Sequence, residues 1–574
     1  MSFYDDASLV FLPSGGAGKD GKAYSMKPRT GDGDFTFSRG SNLTATRVDS
    51  NGLIEKGREN LLKQSNQFDT TWTTSNASVT SGQSGYDGSS DAWLLDIVSG
   101  TNSQRIEQSI SQSGVQTYSV YVKKGTLNWV RIRVNATVTA QSYFDLENGV
   151  VGTIQAGLIS RSIESVGNGW FRCSIVFNST SSLVRIYPAN DDGSVTQSSG
   201  NIYIQDAQLE IGLVATEPIL SGATTGLAGI LEDSPRFDYS GGASCPSLLL
   251  EPSRTNLLQS EYFEDSKLGT VTLTTNAITS PEGVQNASLV VCPSGRLGEN
   301  VSLTSGTDYV VSVFAKQKGN TFNMRAADGT NPSVEFNLAT QTTTDTNGAV
   351  GSMEDYGNGW YRCIMKFTAS ATGSFEIRYV LITDADGVYA YGAQVEQGSY
   401  PTSYIPNHSG GSVTRAADVC EGAGTSSTFN ADEGVFYAEI STNTDDTDKA
   451  ISLNNAVSGS LNNRLWMGYS TSNKRIYALG YVNNSLQFAL SKLMTDESLF
   501  VKIACRYKIN DIAFFVNGVK VGTDTTALNF TELNSLDFNI GTAVSGASPL
   551  YGNVKQVLVF NSYLSDSEII TLTS

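Results

Sequence analysis

The sequence predicts an all-β protein: tandem antiparallel β-sandwich or jelly-roll domains followed by a further, C-terminal sandwich. Three observations carry this prediction. The 574 residues include 56 glycines, 25 tyrosines and 24 phenylalanines, while only 16% are charged, a balance that favours strands and turns over helices. Apolar and polar residues alternate with period two over short runs, as in half-buried strands. One long stretch of the chain recurs, in order, at a spacing of about 190 residues.

Along the chain, residues 1–59 contain strand-like runs at Phe35-Thr36-Phe37-Ser38-Arg39 and Asn51-Gly52-Leu53-Ile54-Glu55. They are too short to bury a core alone. Residues 60–222 form the first repeat. Trp170-Phe171-Arg172-Cys173-Ser174-Ile175-Val176-Phe177 places Phe171, Cys173, Ile175 and Phe177 on one face and Trp170, Arg172 and Ser174 on the other. Residues 223–255 are connecting strands, with runs at Pro235-Arg236-Phe237-Asp238-Tyr239 and Ser247-Leu248-Leu249-Leu250-Glu251. Two readings stand for 1–59 and 223–255. They pair with each other, the first repeat being inserted between them, or they are linkers and an attachment arm.

Residues 256–406 form the second repeat. Asn60-Leu61-Leu62 returns as Asn256-Leu257-Leu258, and Tyr118-Ser119-Val120-Tyr121-Val122-Lys123 returns as Val311-Ser312-Val313-Phe314-Ala315-Lys316. Gly167-Asn168-Gly169-Trp170 returns as Gly357-Asn358-Gly359-Trp360, and Ala207-Gln208-Leu209-Glu210 as Ala393-Gln394-Val395-Glu396. The Gly-Asn-Gly triplets predict tight turns, because Gly and Asn tolerate positive φ. Residues 407–428 read as a linker. In 429–574, Asn517-Gly518 between two apolar runs is a hairpin signal. Ser565-Asp566-Ser567-Glu568 before Ile569-Ile570 predicts the N-cap and first turn of a short terminal helix.

These motifs resemble a known group. The Asn-Leu-Leu, Ser-Val-Tyr-Val-Lys, Gly-Asn-Gly-Trp-Phe-Arg-Cys and Ala-Gln-Leu-Glu motifs look like carbohydrate-binding-module-type jelly rolls of bacteriophage virion proteins, of the head spike or fibre type. The stretches 38–55 and 235–258 and the run Val413-Thr414-Arg415-Ala416-Ala417-Asp418 are similar to segments of such proteins. The segment 429–574 resembles a laminin-G or concanavalin-A-like sandwich through Phe515-Val516-Asn517-Gly518 and the ending at Val559-Phe560-Asn561. The resemblance implies a virion location and attachment to capsid or tail through the N-terminal part. It also implies other virion proteins as partners.

Each repeat is expected to leave one sheet face free. That face collects Tyr121, Lys123, Trp170 and Arg172 in the first copy, and Phe314, Lys316, Trp360 and Arg362 in the second. Flat aromatic rings beside charged hydrogen-bonding groups suit sugars. Gln208 with Glu210, and Gln394 with Glu396, would add polar contacts if the last strand lies on that sheet. The competing reading is structural, a cation–π cover over each sandwich. Trp129 occurs in the first copy only, as a private ligand platform or a contact to a partner subunit.

Composition excludes several classes. A formal charge of −18 repels phosphate backbones and anionic membranes, so neither nucleic acid nor membrane is an expected partner. The single histidine, His408, lies in a Gly/Ser-rich joint, a poor setting for a catalytic base. Six cysteines without CxxC spacing read as mostly buried free thiols. No export signal is expected from the N-terminal residues. Acidic turns at Asn190-Asp191-Asp192-Gly193, Asp384-Ala385-Asp386-Gly387 and Asp445-Asp446-Thr447-Asp448 fit a structural Ca²⁺ or ordinary solvated turns. No cofactor and no catalytic residue is assigned. The expectation is a non-enzymatic structural component of a phage particle, a dimer or trimer with weak, multivalent binding to host-surface glycans. The alternatives are a polysaccharide-degrading tail enzyme and a bacterial surface adhesin.

Overall fold

A computed structural model describes residues 2–15, 18–19, 21–40, 43–99, 104–153, 157–260, 262–407, 410–442, 448–455, 462–494, 496, 498–526, 530–538 and 549–574. The fold is all-β; among the described residues the α-helices are Phe3–Asp6 and Asp566–Thr573, near the two ends, and there are two brief 3₁₀ turns.

Each repeat is a jelly roll of two six-stranded antiparallel sheets. In the first copy one sheet runs in the order Ser160–Gly167, Trp170–Asn178, Val115–Lys124, Asn201–Ile211, Ala92–Ile97, Ala77–Gln83. The facing sheet runs Val150–Val151, Ala140–Asp145, Trp129–Ala136, Ser181–Ala189, Arg105–Gln112, Thr73–Ser75. The second copy repeats both orders strand for strand. Alternation decides what is inside. Val120, Val122, Cys173, Ile175 and Phe177 from one sheet meet Val130, Ile132 and Val134 from the other, all buried. Both Gly-Asn-Gly turns form as expected: Asn168 and Gly169 have φ of 53° and 77°, Asn358 and Gly359 of 52° and 76°. Two successive positive φ values make the hairpin twist match the strands it joins.

The C-terminal sandwich is larger than expected. Its big sheet contains Glu433–Thr442, Val501–Lys508, Ile512–Val516, Val519–Asp524 and Gly552–Phe560. On the outer side of Gly552–Phe560, Ser247–Leu250 pairs with one half (Leu248 opposite Val554) and Leu9–Phe11 with the other (Leu9 opposite Val559). Phe35, Phe37 and Cys420 enter the same core as Phe436, Ile451 and Val557. This corrects two expectations. Residues 1–59 and 223–255 do touch, since Arg58–Asn60 pairs with Gly226–Ala228, but their apolar strands complete the C-terminal sandwich. The segment 407–428 is no simple linker: Val413–Arg415 pairs with Arg254–Asn256, and Val419–Glu421 with Phe35–Ser38. Strands of two or three residues cannot bury a face alone, and a sheet with an open edge supplies the missing partner. The jelly rolls are therefore insertions in one discontinuous sandwich.

A buried charge cluster ties these segments together. Arg39, Arg236 and Arg415 are fully buried with Glu251 and Asp418. Arg39 meets Asp418 at 3.2 Å, Arg236 meets Glu251 at 2.6 Å and also Asp418, and Arg415 meets Glu251 at 2.8 Å. Ser403 of the second repeat donates to Glu251 through its backbone N at 2.7 Å and its hydroxyl at 2.6 Å. Burial pushes the Glu251 carboxyl up in pKa, but Arg415 and Arg236 outweigh it and hold it well below the ordinary range. The stretches 38–55, 235–258 and 413–418 thus converge on one point.

Candidate functional site

The expected free faces are covered. Trp170 and Trp360 are 1% and 2% exposed. Tyr121, Phe314, Arg172 and Arg362 are also buried. Trp170 packs with Tyr121 and Tyr86, and Trp360 with Phe314, Tyr391 and Tyr404. The guanidinium of Arg172 lies 5.3 Å from the Tyr121 ring centroid and donates to the Ser119 hydroxyl at 3.2 Å. That of Arg362 lies 5.5 Å from Phe314 and donates to Ser312 at 3.1 Å and to the carbonyl of Thr402 at 2.7 Å. Only Lys123 and Lys316 stay partly exposed, over the Gly-Asn-Gly turns. The cation–π cover describes these residues; the open platform does not.

In the first copy Tyr86, from the segment between Ala77–Gln83 and Ala92–Ile97, stacks on Tyr121 at 3.9 Å, and in the second Tyr404 covers Phe314; beside them the chain that follows each last strand folds back. Asn60 donates to the carbonyls of Ala207 (3.1 Å) and Ile219 (2.8 Å) and accepts from Leu62 N and Leu209 N. Gln208 accepts from Ile219 N at 2.7 Å, and Glu210 from Thr216 N at 2.9 Å. Asn256, Gln394 and Glu396 make the matching bonds to Ala393, Ile405 and Thr402. These repeated polar motifs, expected as ligand contacts, fold the tail back over its own sheet. They satisfy each other's buried groups, which is what such groups require.

The opposite sheet of the first repeat is open. Between the buried Val130, Ile132 and Val134, the residues Trp129, Arg131 and Arg133 point outward and are partly exposed. Register places Arg131 between Tyr143 and Tyr187, and Arg133 between Gln141 and Arg185. Arg185 in turn lies opposite Glu107. Arg131 stacks 3.7 Å from the Tyr187 centroid and donates to the Tyr143 hydroxyl at 3.2 Å. Glu107 binds Arg105 and Arg185, each at 2.6 Å. Burial raises its carboxyl, yet these two cations outweigh that and lower it. Gly152 closes one side of Trp129, because a Cβ there would sit 3.0 Å from the indole. Of the expected site residues, Trp129 is the aromatic that reaches this surface. The second repeat keeps the ionic trio, Glu376 with Arg296 (2.6 Å) and Arg378 (2.7 Å). Its Asn323 and Arg325 stand where the first has Arg131 and Arg133; Arg325 again faces an arginine, Arg378, but Asn323 lies between Glu335 and Leu381 where Arg131 lies between two tyrosines.

A second aromatic surface was missed by sequence reading. On the smaller sheet of the C-terminal sandwich, the Arg464 guanidinium lies 4.4 Å from the Trp466 ring and 3.8 Å from Tyr481. Trp466 donates to Ser452 at 3.1 Å. Ser535 donates to the neighbouring Asp537 at 3.0 Å, and Asn454 donates to it as well. The alternating Arg464-Leu465-Trp466-Met467 was a visible signal: Leu465 and Met467 are core residues, so Arg464 and Trp466 must face away.

The acidic turns act as braces. Asp192 accepts from Thr153 N at 2.7 Å, and Asp384 accepts from Asn320 N. Asp445, Asp446 and Thr447 lie outside the described residues, as does His408. Among the described residues no group of three or more His, Cys, Asp or Glu side chains gathers to hold a metal. Among the described residues no disulfide joins the six cysteines, and all but Cys245 are buried.

Residues 435–570 match the concanavalin A-like lectin/glucanase superfamily. No curated protein matches the chain. Among solved structures, the carbohydrate-binding module of a Ruminococcus gnavus sialidase bound to α2,3-sialyllactose is 18% identical, with TM-score 0.22, over 25% of this chain and 84% of that one. The tandem CBM22 domains of Paenibacillus barcinonensis Xyn10C are 12% identical, with TM-score 0.20, over 63% and 100% of the two chains. Domains LG4-5 of mouse laminin α1 are 9% identical, with TM-score 0.18, over 54% and 93%. None of these likenesses says what this chain binds.

Proposed function

We propose that this protein is a non-enzymatic glycan-binding component of a bacteriophage particle, attached to capsid or tail. It works as a dimer or trimer whose open sheet faces hold surface sugars weakly and together. The observation that carries the reading is the partly exposed row of Trp129 and Arg131 over Tyr187 and Tyr143. The Trp129 indole offers a flat apolar surface to a sugar ring, and the guanidinium above the two buried tyrosines supplies hydrogen bonds to its hydroxyls. A second such surface, at Trp466 and Arg464, sits on the same chain, and linked weak sites raise avidity without new contacts. The particle setting is supported by the motif resemblance at 38–55, 235–258 and 413–418.

The test uses the full chain, since strands from both ends share one sandwich. On a glycan array the parent protein should bind a defined set of saccharides. Trp129→Ala and Trp466→Ala should each weaken it about tenfold, and the double variant should abolish it. A parent protein that is folded and binds no saccharide would remove the glycan role and leave an architectural one.

A further inference from the structure

We infer that the open sheet of the first jelly roll takes a carboxylated polysaccharide, a chain of uronic-acid sugars, rather than a neutral one. This rests on the reading that the face binds glycans and specifies which. The protein as a whole is acidic, at −18, yet this sheet face concentrates four arginines, Arg105, Arg131, Arg133 and Arg185, with Glu107 among them and Asp145 at its Trp129 end. Glu107 is shared by Arg105 and Arg185. Arg131 is spent on an aromatic stack. Arg133 stands directly opposite Arg185 on the neighbouring strand. Like charges in facing strand positions repel and are normally avoided or compensated. Among the described residues Arg133 has no hydrogen-bond or ion-pair partner, and its Nε is buried without one.

A bound carboxylate would relieve this arrangement. The guanidinium fork matches a carboxylate with two parallel bonds, better than it matches single hydroxyls. Gln141, opposite Arg133 on its other side, supplies a neutral amide, and the carboxylate of that row, Glu107, lies two strands away beyond Arg185. Trp129 lies on the same face of the same strand, two positions beyond Arg131. A saccharide running along that strand meets the Arg133 fork, the Arg131 stack and the Trp129 indole in turn.

Oligogalacturonate and its methyl ester differ in charge and by one methyl group per sugar, and calorimetry with the full-length protein in 150 mM NaCl separates them. The acid should bind at least tenfold tighter than the ester. Arg133→Gln should remove most of that difference and leave the ester within twofold. Lys520→Gln, paired with Asp566 at 2.6 Å on the C-terminal sandwich, should change neither. Equal affinity for acid and ester would overturn the inference while leaving the glycan-binding reading intact. Loss of all saccharide binding, on the array as well, would overturn both. Dextran sulfate binding as tightly as oligogalacturonate, with the same dependence on Arg133, would show a general polyanion patch and overturn the assignment to carboxylated sugars.

Discussion

Asp206 shows how a single residue reports its surroundings. It sits at a bulge in the strand Asn201–Ile211 with φ of 47°. Tyr86 donates to its Oδ2 at 2.9 Å, while its buried Oδ1 has no hydrogen-bond partner. Burial pushes this carboxyl up to about 6, and the Tyr86 bond offsets only part of that. The folded state therefore holds a proton that the unfolded chain has released between about pH 4 and pH 6, so this group costs stability as pH rises through that window. Asp206→Asn keeps a residue that tolerates positive φ. It should stabilise the protein by about 2 kcal/mol at pH 7 and by almost nothing at pH 4, read from calorimetric unfolding at both values. Glu251 has the opposite sign. Its lowered pKa contributes stability that is present above about pH 4 and lost as pH falls further. Glu251→Gln leaves Arg236 and Arg415 buried beside too little negative charge, and should cost about 3–5 kcal/mol in a chemical denaturation series. Neither shift was legible in the sequence, because each depends on groups more than a hundred positions away.

At the scale of elements, the legible features were those with local causes. The Asn517-Gly518 turn forms with φ of 47° and 73°, since few other residue pairs accept two positive values. The terminal helix begins at Asp566 with the full reciprocal cap of Ser565 and Glu568. Ser565→Ala should lower stability of that end by about 1 kcal/mol, seen as faster amide exchange in 566–573. The Asn60 clamp extends the same logic across 147 and 159 positions. Asn60→Ala strands the Leu62 and Leu209 amides and two carbonyls, and should cost about 2–3 kcal/mol with selective loosening of residues 213–222. Period two correctly separated the faces of Trp170–Asn178, with Cys173, Ile175 and Phe177 all inside. It could not say that the other face is roofed, because the roof is built from irregular segments, the one carrying Tyr86 and the one carrying Tyr404. Trp170 and Trp360 were therefore placed on open surfaces they do not occupy, and Trp466 went unnoticed.

For the whole molecule, the insertion arrangement makes the ends interdependent. Removing residues 2–12 deletes the strand against Val557–Val559 and exposes core residues beside Phe11 and Phe35, whose rings lie 5.1 Å apart. The truncated chain should lose protease resistance in 429–574 while the jelly rolls between 60 and 406 survive limited proteolysis; equal resistance of both would contradict the shared sandwich. Net charge was also a whole-chain guide with a local exception. It spoke against polyanions in general, while the arginines of the first jelly roll lie on different strands and sum only after folding. What the sequence determined by itself was the all-β class, the duplication, the turns and the capped helix, because periodicity, positive φ and capping act over a few neighbouring residues. Which sheet faces solvent, where the five buried charges meet and which domain the short strands complete were decided by tertiary structure alone. Those outcomes depend on which surfaces are removed from water together, and segments hundreds of residues apart settle that jointly.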